Sequence, residues 1–189
     1  MKFLEQKILT DGRVLPGEVL KVDNFLNHQI DVALLNKCGE EWYKLFKDEG
    51  ITKILTIESS GIAVACLAAI KFGVPVVFAK KTGASSGSND FYKSTVVSFT
   101  HGQEYGVVVG KQHIGKEDRI LILDDLIANG SAMKALIAIC KSAGATVVGC
   151  GAVIEKTYKN GGSDIRSLGY RVESLAKISS MNDEKIVFC

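Results

Sequence analysis

Asp124 and Asp125 stand side by side after four aliphatic residues, Ile120-Leu121-Ile122-Leu123. Leu126-Ile127 follow, and then the small-residue run Ala128-Asn129-Gly130-Ser131-Ala132. Adjacent carboxylates at the C-terminal end of a buried strand can hold sugar hydroxyls or a hydrated cation. A short turn that opens a helix presents unpaired backbone N–H groups and the positive end of the helix dipole, which together form a cradle for phosphate. Glu58-Ser59-Ser60-Gly61 repeats the arrangement between the strand-like Lys53–Ile57 and an Ala-rich run. It reads either as a capping turn or as a second anion nest. Two such nests on one sheet suit a substrate with phosphate at both ends. Gly130 marks the place where the backbone would come closest to an anion.

Other chemistries lack their residues. Gly110-Lys111-Gln112-His113-Ile114-Gly115-Lys116 approaches a Walker A loop, but Glu117 occupies the Ser/Thr position that would hold magnesium, and a carboxylate there repels phosphate. No G-x-G-x-x-G follows a strand, and Ser60 is not in G-x-S-x-G. His28, His101 and His113 lack metal-ligand spacing. Lys156 ends the apolar strand Thr146–Ile154, beside Glu155. It is either a surface lysine paired with that glutamate or a cation used in the site. Alternation along a strand makes the pairing awkward.

The elements that must position these groups are two βαβ units. Lys53–Ile57, the helix Ile62–Phe72 and the strand Val74–Ala79 form the first, with Gly73 as the helix-ending residue. Ile120–Leu123, the helix Ala132–Ala143 and the strand Thr146–Ile154 form the second. Right-handed crossovers then give a parallel sheet with helices on both faces. Between the units, residues 80–94 hold a polar Ser/Gly loop, and Thr95–Phe99 and Tyr105–Val109 alternate around His101-Gly102 as an antiparallel hairpin. The loop and hairpin read as a mobile flap over the sheet's C-terminal edge. Residues 2–10 suit a short amphipathic helix, and residues 11–30 are irregular apart from a short strand at Val19–Val22. Asp31 is an N-cap for a helix over 32–49 in which Trp42 packs in the core. Asp164–Gly169 is a short helix, and Tyr170–Ile178 and Lys185–Phe188 are late strands.

A chain of 189 residues suits one domain over 1–189, with a core at about 32–156 and a small cap from 1–31 and 157–189. Its 23 basic and 21 acidic residues nearly balance, unlike a surface built to neutralise nucleic acid. The five cysteines include no C-x-x-C, and Cys66 and Cys140 lie in apolar helical runs as reduced core residues. No signal peptide and no apolar run long enough for a membrane span is visible, so a cytoplasmic protein without membrane or nucleic-acid partners is expected.

The run from Ile120 through Ala132 resembles the 5-phosphoribosyl diphosphate (PRPP) signature of the type I phosphoribosyltransferases. Further stretches are similar to the bacterial xanthine phosphoribosyltransferases within that family: Val19–Asp31, Ile51–Ala63, Gly73–Ala79, Ile154-Glu155-Lys156 and Leu168–Ala176. The resemblance runs nearly end to end. It implies an α/β type I phosphoribosyltransferase fold: a mostly parallel central sheet flanked by helices, a small hood from the terminal segments, and the flap. It implies transfer of the phosphoribosyl group from PRPP to xanthine in purine salvage, with Mg2+ and a homodimer. Alternatives are an adenine or hypoxanthine/guanine enzyme of the same family, or a PRPP-sensing transcriptional regulator. The first 50 residues show no helix-turn-helix or basic cluster to favour the regulator.

Carried over position by position, the resemblance places PRPP's 5-phosphate on Ala128, Asn129, Gly130, Ser131 and Ala132, and its ribose hydroxyls on Asp124 and Asp125. It places diphosphate on Ser59, Ser60, Gly61 and Lys81, and xanthine against Leu20, Asn27 and Lys156, with no direct protein ligand to the metal. Two departures stand out. Ala128 replaces an Asp that hypoxanthine/guanine relatives carry, so a side-chain base there is absent. Lys80-Lys81 stand where Arg-Lys is usual, a point charge in place of a bidentate fork.

Overall fold

Alternation in two aliphatic strands builds the molecule. In the computed structural model, which describes residues 1–82, 89–98, 103–182 and 185–189, neighbouring residues of these strands serve opposite cores. Ile54, Leu121 and Leu123 join one apolar cluster, and Leu55, Ile120 and Ile122 join the other. The strands are β3 (Lys53–Ile57) and β7 (Arg119–Ile127). Both faces are covered, as a buried parallel sheet requires.

The first cluster is completed by α1 (Lys2–Asp11), α2 (Val32–Phe46) and α3 (Ser60–Phe72). The second is completed by α4 (Ser131–Ala143) and Ile165 of α5 (Gly161–Ser167). The Asp31 carboxylate accepts from Leu34 N–H at 3.0 Å, and Gly73 ends α3 in the left-handed region at φ 66°, as the spacing of caps and breakers predicts. Trp42 is fully buried, and its indole donates to the Glu173 carbonyl at 3.3 Å.

Five strands run parallel: β9 (Val172–Asn182), β8 (Thr146–Lys156), β7, β3 and β4 (Val76–Thr82), in that order. β10 (Lys185–Phe188) lies antiparallel on β9. At the other edge β6 (Gln103–Gly110) pairs antiparallel with β4, and β5 (Phe91–Ser98) with β6. Among the described residues no helix is long and apolar enough to cross a membrane.

Several expectations change. The hairpin read as a flap continues the sheet edge-on, with Lys80 opposite Val108 and Lys81 opposite Val107. The loop residues 83–88 and the turn at His101-Gly102 lie outside the described residues. Residues 172–178, read as part of the cap, are a central-sheet strand with Val172 opposite Cys150 and Ile178 opposite Lys156. Val172, Leu175, Ala176 and Ile178 are buried, and a strand with that much apolar surface needs a sheet neighbour. In the N-terminal segment β1 (Arg13–Leu15) pairs with β2 (Val19–Lys21), in a stretch that looked largely irregular. All five cysteines are free thiols, but Cys66 is exposed because it faces away from the core on α3.

Candidate functional site

The acid pair sits inside β7, and the strand continues through Leu126 and Ile127 before the turn. Asp124, opposite Ala152 of β8, is 5% exposed, while Asp125 is half-buried. Asp125 N–H donates to Asp124 Oδ1 at 2.9 Å. Burial, then the neighbouring Asp125 charge, pushes the Asp124 carboxyl well above the usual carboxylate range, and the Lys81 charge pulls the other way.

Helix α4 opens directly after the turn, with Gly130 as its N-cap at φ 71°. Lys134 N–H donates to Gly130 O at 2.9 Å, so the amides of Ser131, Ala132 and Met133 precede the first intrahelical bond and are free to meet an anion. Gly130 itself has a second reason to be glycine. A β-carbon there would stand 3.0 Å from Gly161 Cα and 3.1 Å from its carbonyl oxygen. The crowding expected from a bound anion therefore comes from protein, at the start of α5. Gly161 N–H donates to Ala128 O at 3.0 Å, and Lys134 reaches Asp164 at 2.6 Å.

Glu58-Ser59-Ser60-Gly61 opens α3, with a cis peptide between Glu58 and Ser59. Ser59 makes no side-chain cap bond and is exposed, while Gly61 is buried. A β-carbon on Gly61 would overlap Thr56 Oγ1 and stand 3.2 Å from Asp124 Oδ1, so this turn abuts the acid pair. Glu58 Oε1 accepts from Lys81 N–H at 2.6 Å. The Lys81 ammonium lies 5.3 Å from the Tyr105 ring centroid, and Tyr105 is raised in pKa by burial and by the Asp124 charge. Lys80, its neighbour on the strand, lies over Phe78 instead, at 6.0 Å. Of the two lysines, Lys81 is thus the one whose charge reaches Asp124.

Lys156, at the end of β8, is 8% exposed and donates to the Glu18 carbonyl at 2.7 Å. Burial, with Lys159 adding, lowers its pKa, and Glu18 opposes the shift. The pairing with Glu155 weighed from the sequence does not form, because Glu155 is buried and held by Arg166 through two bonds at 2.7 and 2.9 Å. Glu18 adopts φ 59° at the tip of the β1–β2 hairpin, and its carboxylate pairs with Lys159 at 2.5 Å. Leu20 of β2 is 7% exposed. Asn27 ends a π-helical turn over Asp23–Asn27 and is exposed. No hydrogen bond joins Asn27 to Lys156 among the described residues. A cavity of about 540 Å³ opens beside the hairpin, lined by Val14–Glu18, Met181 and Asn182, and shares no residue with the acid pair or either turn.

The sequence-selected groups therefore fall into two sets. Asp124, Asp125, Ala128–Ala132, Ser59–Gly61 and Lys81 meet at the C-terminal edge of β3, β4 and β7, where open α/β sheets bind ligands. Lys156 and Leu20 sit where the hood hairpin touches β8. Thr56, Tyr105 and Gly161 also belong to the neighbourhood, and the sequence does not single them out for it. Gly161-Gly162 carried a visible signal as a turn pair, but nothing local names the turn against which it packs. Among the described residues no three His, Cys, Asp or Glu side chains cluster to hold a metal. The donor set at the edge is instead two carboxylates, one of them half-exposed, which suits a hydrated hard cation carried in with phosphate.

Residues 22–182 match the phosphoribosyl transferase domain family. A xanthine phosphoribosyltransferase of Ruminiclostridium cellulolyticum is 50% identical over 188 residues, covering 100% of this chain and 99% of that protein. One from Finegoldia magna is 47% identical with the same coverage. Among solved structures, the Giardia lamblia adenine phosphoribosyltransferase bound to 9-deazaadenine superposes with a TM-score of 0.78 at 23% identity, over 92% of this chain and 97% of that one. The Trypanosoma brucei adenine enzyme gives 0.78 at 21% identity, over 96% and 82%. Both share the α/β fold, with its mostly parallel sheet between helices.

Proposed function

This chain belongs to the phosphoribosyltransferase family, and on that footing we infer that it is an enzyme that transfers the 5-phosphoribosyl group of PRPP to xanthine, giving xanthosine 5'-monophosphate and diphosphate in purine salvage. One observation carries the choice of base: the relatives that match this chain at 47% and 50% identity over its whole length are named for xanthine. The adenine enzymes, at 21% and 23%, share only its fold.

The backbone amides from Ala128 to Ala132 would take the 5-phosphate, because the start of α4 offers unpaired N–H groups and the helix dipole. The amides of Ser59, Ser60 and Gly61 would take diphosphate, with the Lys81 charge nearby. Asp124 and Asp125 would hold the ribose hydroxyls. As the C1–O bond loosens, positive charge grows on the ribose and negative charge on the leaving diphosphate. A carboxylate already buried beside the ribose then stabilises the cation more than water would, and the amides and Lys81 stabilise the anion. The protein's main contribution is alignment of the base with C1. Lys156, with Asn27 and Leu20, would face the purine, its ammonium donating to an oxo group where it now donates to Glu18 O. Asp124 and Asp125 would meet the water shell of a magnesium ion, whose charge would neutralise phosphate. We place the protein in the cytoplasm as a single-domain homodimer, as the family resemblance implies.

The test is product identity. Purified protein with PRPP, Mg2+ and xanthine should yield xanthosine 5'-monophosphate and diphosphate in equal amounts. Diphosphate release that is independent of any added base would contradict the assignment.

A further inference from the structure

Thr56 is the one hydroxyl in the strand Lys-Ile-Leu-Thr-Ile of β3, and it is fully buried. Its Oγ1 has no hydrogen-bond partner among the described residues. Buried hydroxyls are as a rule paired, and a valine would fill the same shape without the penalty. Core packing therefore gives no reason for the oxygen.

The surroundings supply one. A β-carbon on Gly61 would overlap Thr56 Oγ1 and stand 3.2 Å from Asp124 Oδ1, so both oxygens neighbour the space that this glycine leaves open. The absent side chain leaves the hydroxyl and the carboxylate flanking one small gap. Asp124 is 5% exposed, and the donor described for Oδ1 is Asp125 N–H. An ionised carboxylate has about four acceptor sites. Once ionised to face a developing cation, Asp124 is short of donors at a place where water has little access, while the nearby Thr56 hydroxyl has no partner among the described residues.

We propose that Thr56 is a positioning residue whose hydroxyl donates to the buried Asp124 carboxylate across the gap left by Gly61, aiming that carboxylate at the ribose. The proposal rests on the phosphoribosyl-transfer reading. Thr56 does not touch the substrate and acts through Asp124.

The experiment compares Thr56→Val and Thr56→Ser with wild type by steady-state kinetics at saturating PRPP and xanthine, with thermal unfolding alongside. Thr56→Val keeps the shape and loses the donor. It should unfold at or above the wild-type temperature while kcat falls on the order of tenfold or more, the scale of one charge-assisted hydrogen bond. The Michaelis constant for xanthine should stay within about twofold, because the base pocket is untouched. Thr56→Ser should restore kcat to within about threefold of wild type. Thr56→Ser against Thr56→Ala supplies the same comparison, one oxygen apart, should the valine variant fail to fold. Wild-type kcat in Thr56→Val, or equal kcat in the serine and alanine variants, would overturn the proposal alone. A wild-type enzyme with no turnover of PRPP and xanthine would overturn the parent reading with it.

Discussion

Gly161 is packed against Gly130 so closely that neither position has room for a β-carbon. On Gly161 it would overlap Ala128 O and Gly130 N, and on Gly130 it would press on the Gly161 backbone at 3.0 Å. The first turn of α5 thus braces the turn that opens α4.

That contact makes Gly161 a test of the phosphate cradle from outside it. Gly161→Ala should displace residues 128–130 and raise the Michaelis constant for PRPP about tenfold or more, because a shift of roughly an ångström spoils the alignment of amides with an anion. The constant for xanthine should change little. Isothermal titration with PRPP checks the prediction independently of turnover. Gly130→Val is a poorer probe than the sequence suggests. It forces a β-branched residue to φ 71° and into Gly161, so a loss of stability should accompany any loss of affinity.

The same segment supports a prediction about pH. Burial alone would raise the Glu155 carboxyl, but the bonds and charge of Arg166, with Ser174 and the Lys177 charge adding, together outweigh burial and hold it below the ordinary value. A carboxylate depressed in the folded state contributes stability above its unfolded pKa of about 4.3, and the contribution is lost as pH falls through the lower folded value. Arg166→Ala should therefore destabilise at pH 7 by about 2–3 kcal/mol. That is below the usual cost of splitting a fully buried pair, because Arg166 is itself about a third exposed. Urea midpoints of wild type and variant should differ at pH 7 and converge below about pH 4. A gap that stays constant with pH would mean that Arg166 acts through packing.

Much of this arrangement is legible before folding. The unbroken aliphatic run of β7 announces a strand covered on both faces, and Asp31 and Gly73 carry the cap chemistry that sets α2 and α3. The acid pair and both helix-opening turns are local, because strand, turn and helix are contiguous in the chain. The missed relationships are those in which one partner is distant in sequence and chemically plain. The packing of Gly130 against Gly161 is invisible because Gly161 is far along the chain. The sequence leaves Lys156 between a surface pairing and a role in the site, because nothing in it points to the carbonyl of Glu18 or to the hold of Arg166 on Glu155. Residues 172–178 read as cap because an apolar strand does not name its neighbour. Thr56 passes unnoticed because one threonine in a buried strand is ordinary until its hydroxyl is found unpaired.

Lys156 separates base recognition from PRPP binding. Its ammonium is buried, with its pKa lowered by burial, and it is already oriented by the Glu18 carbonyl. Lys156→Ala should weaken the use of xanthine by roughly 10- to 150-fold, the range of one charge-assisted hydrogen bond. PRPP affinity should stay within about twofold, since the phosphate-facing turns do not contact it. Equal losses for both substrates would place Lys156 in the fold and outside the base pocket.

The central claim is that this chain is a phosphoribosyltransferase for xanthine, although two solved structures it superposes on are adenine enzymes. A donor facing the 6-position accepts an oxo group and rejects the amino group of adenine, which leaves two donors opposed. The most direct measurement is kcat/KM for xanthine and for adenine, each at saturating PRPP and Mg2+ in the same preparation. The account predicts a ratio of about a thousand or more in favour of xanthine, in line with the cost of leaving buried polar groups unpaired. A ratio near one, or one favouring adenine, would contradict it.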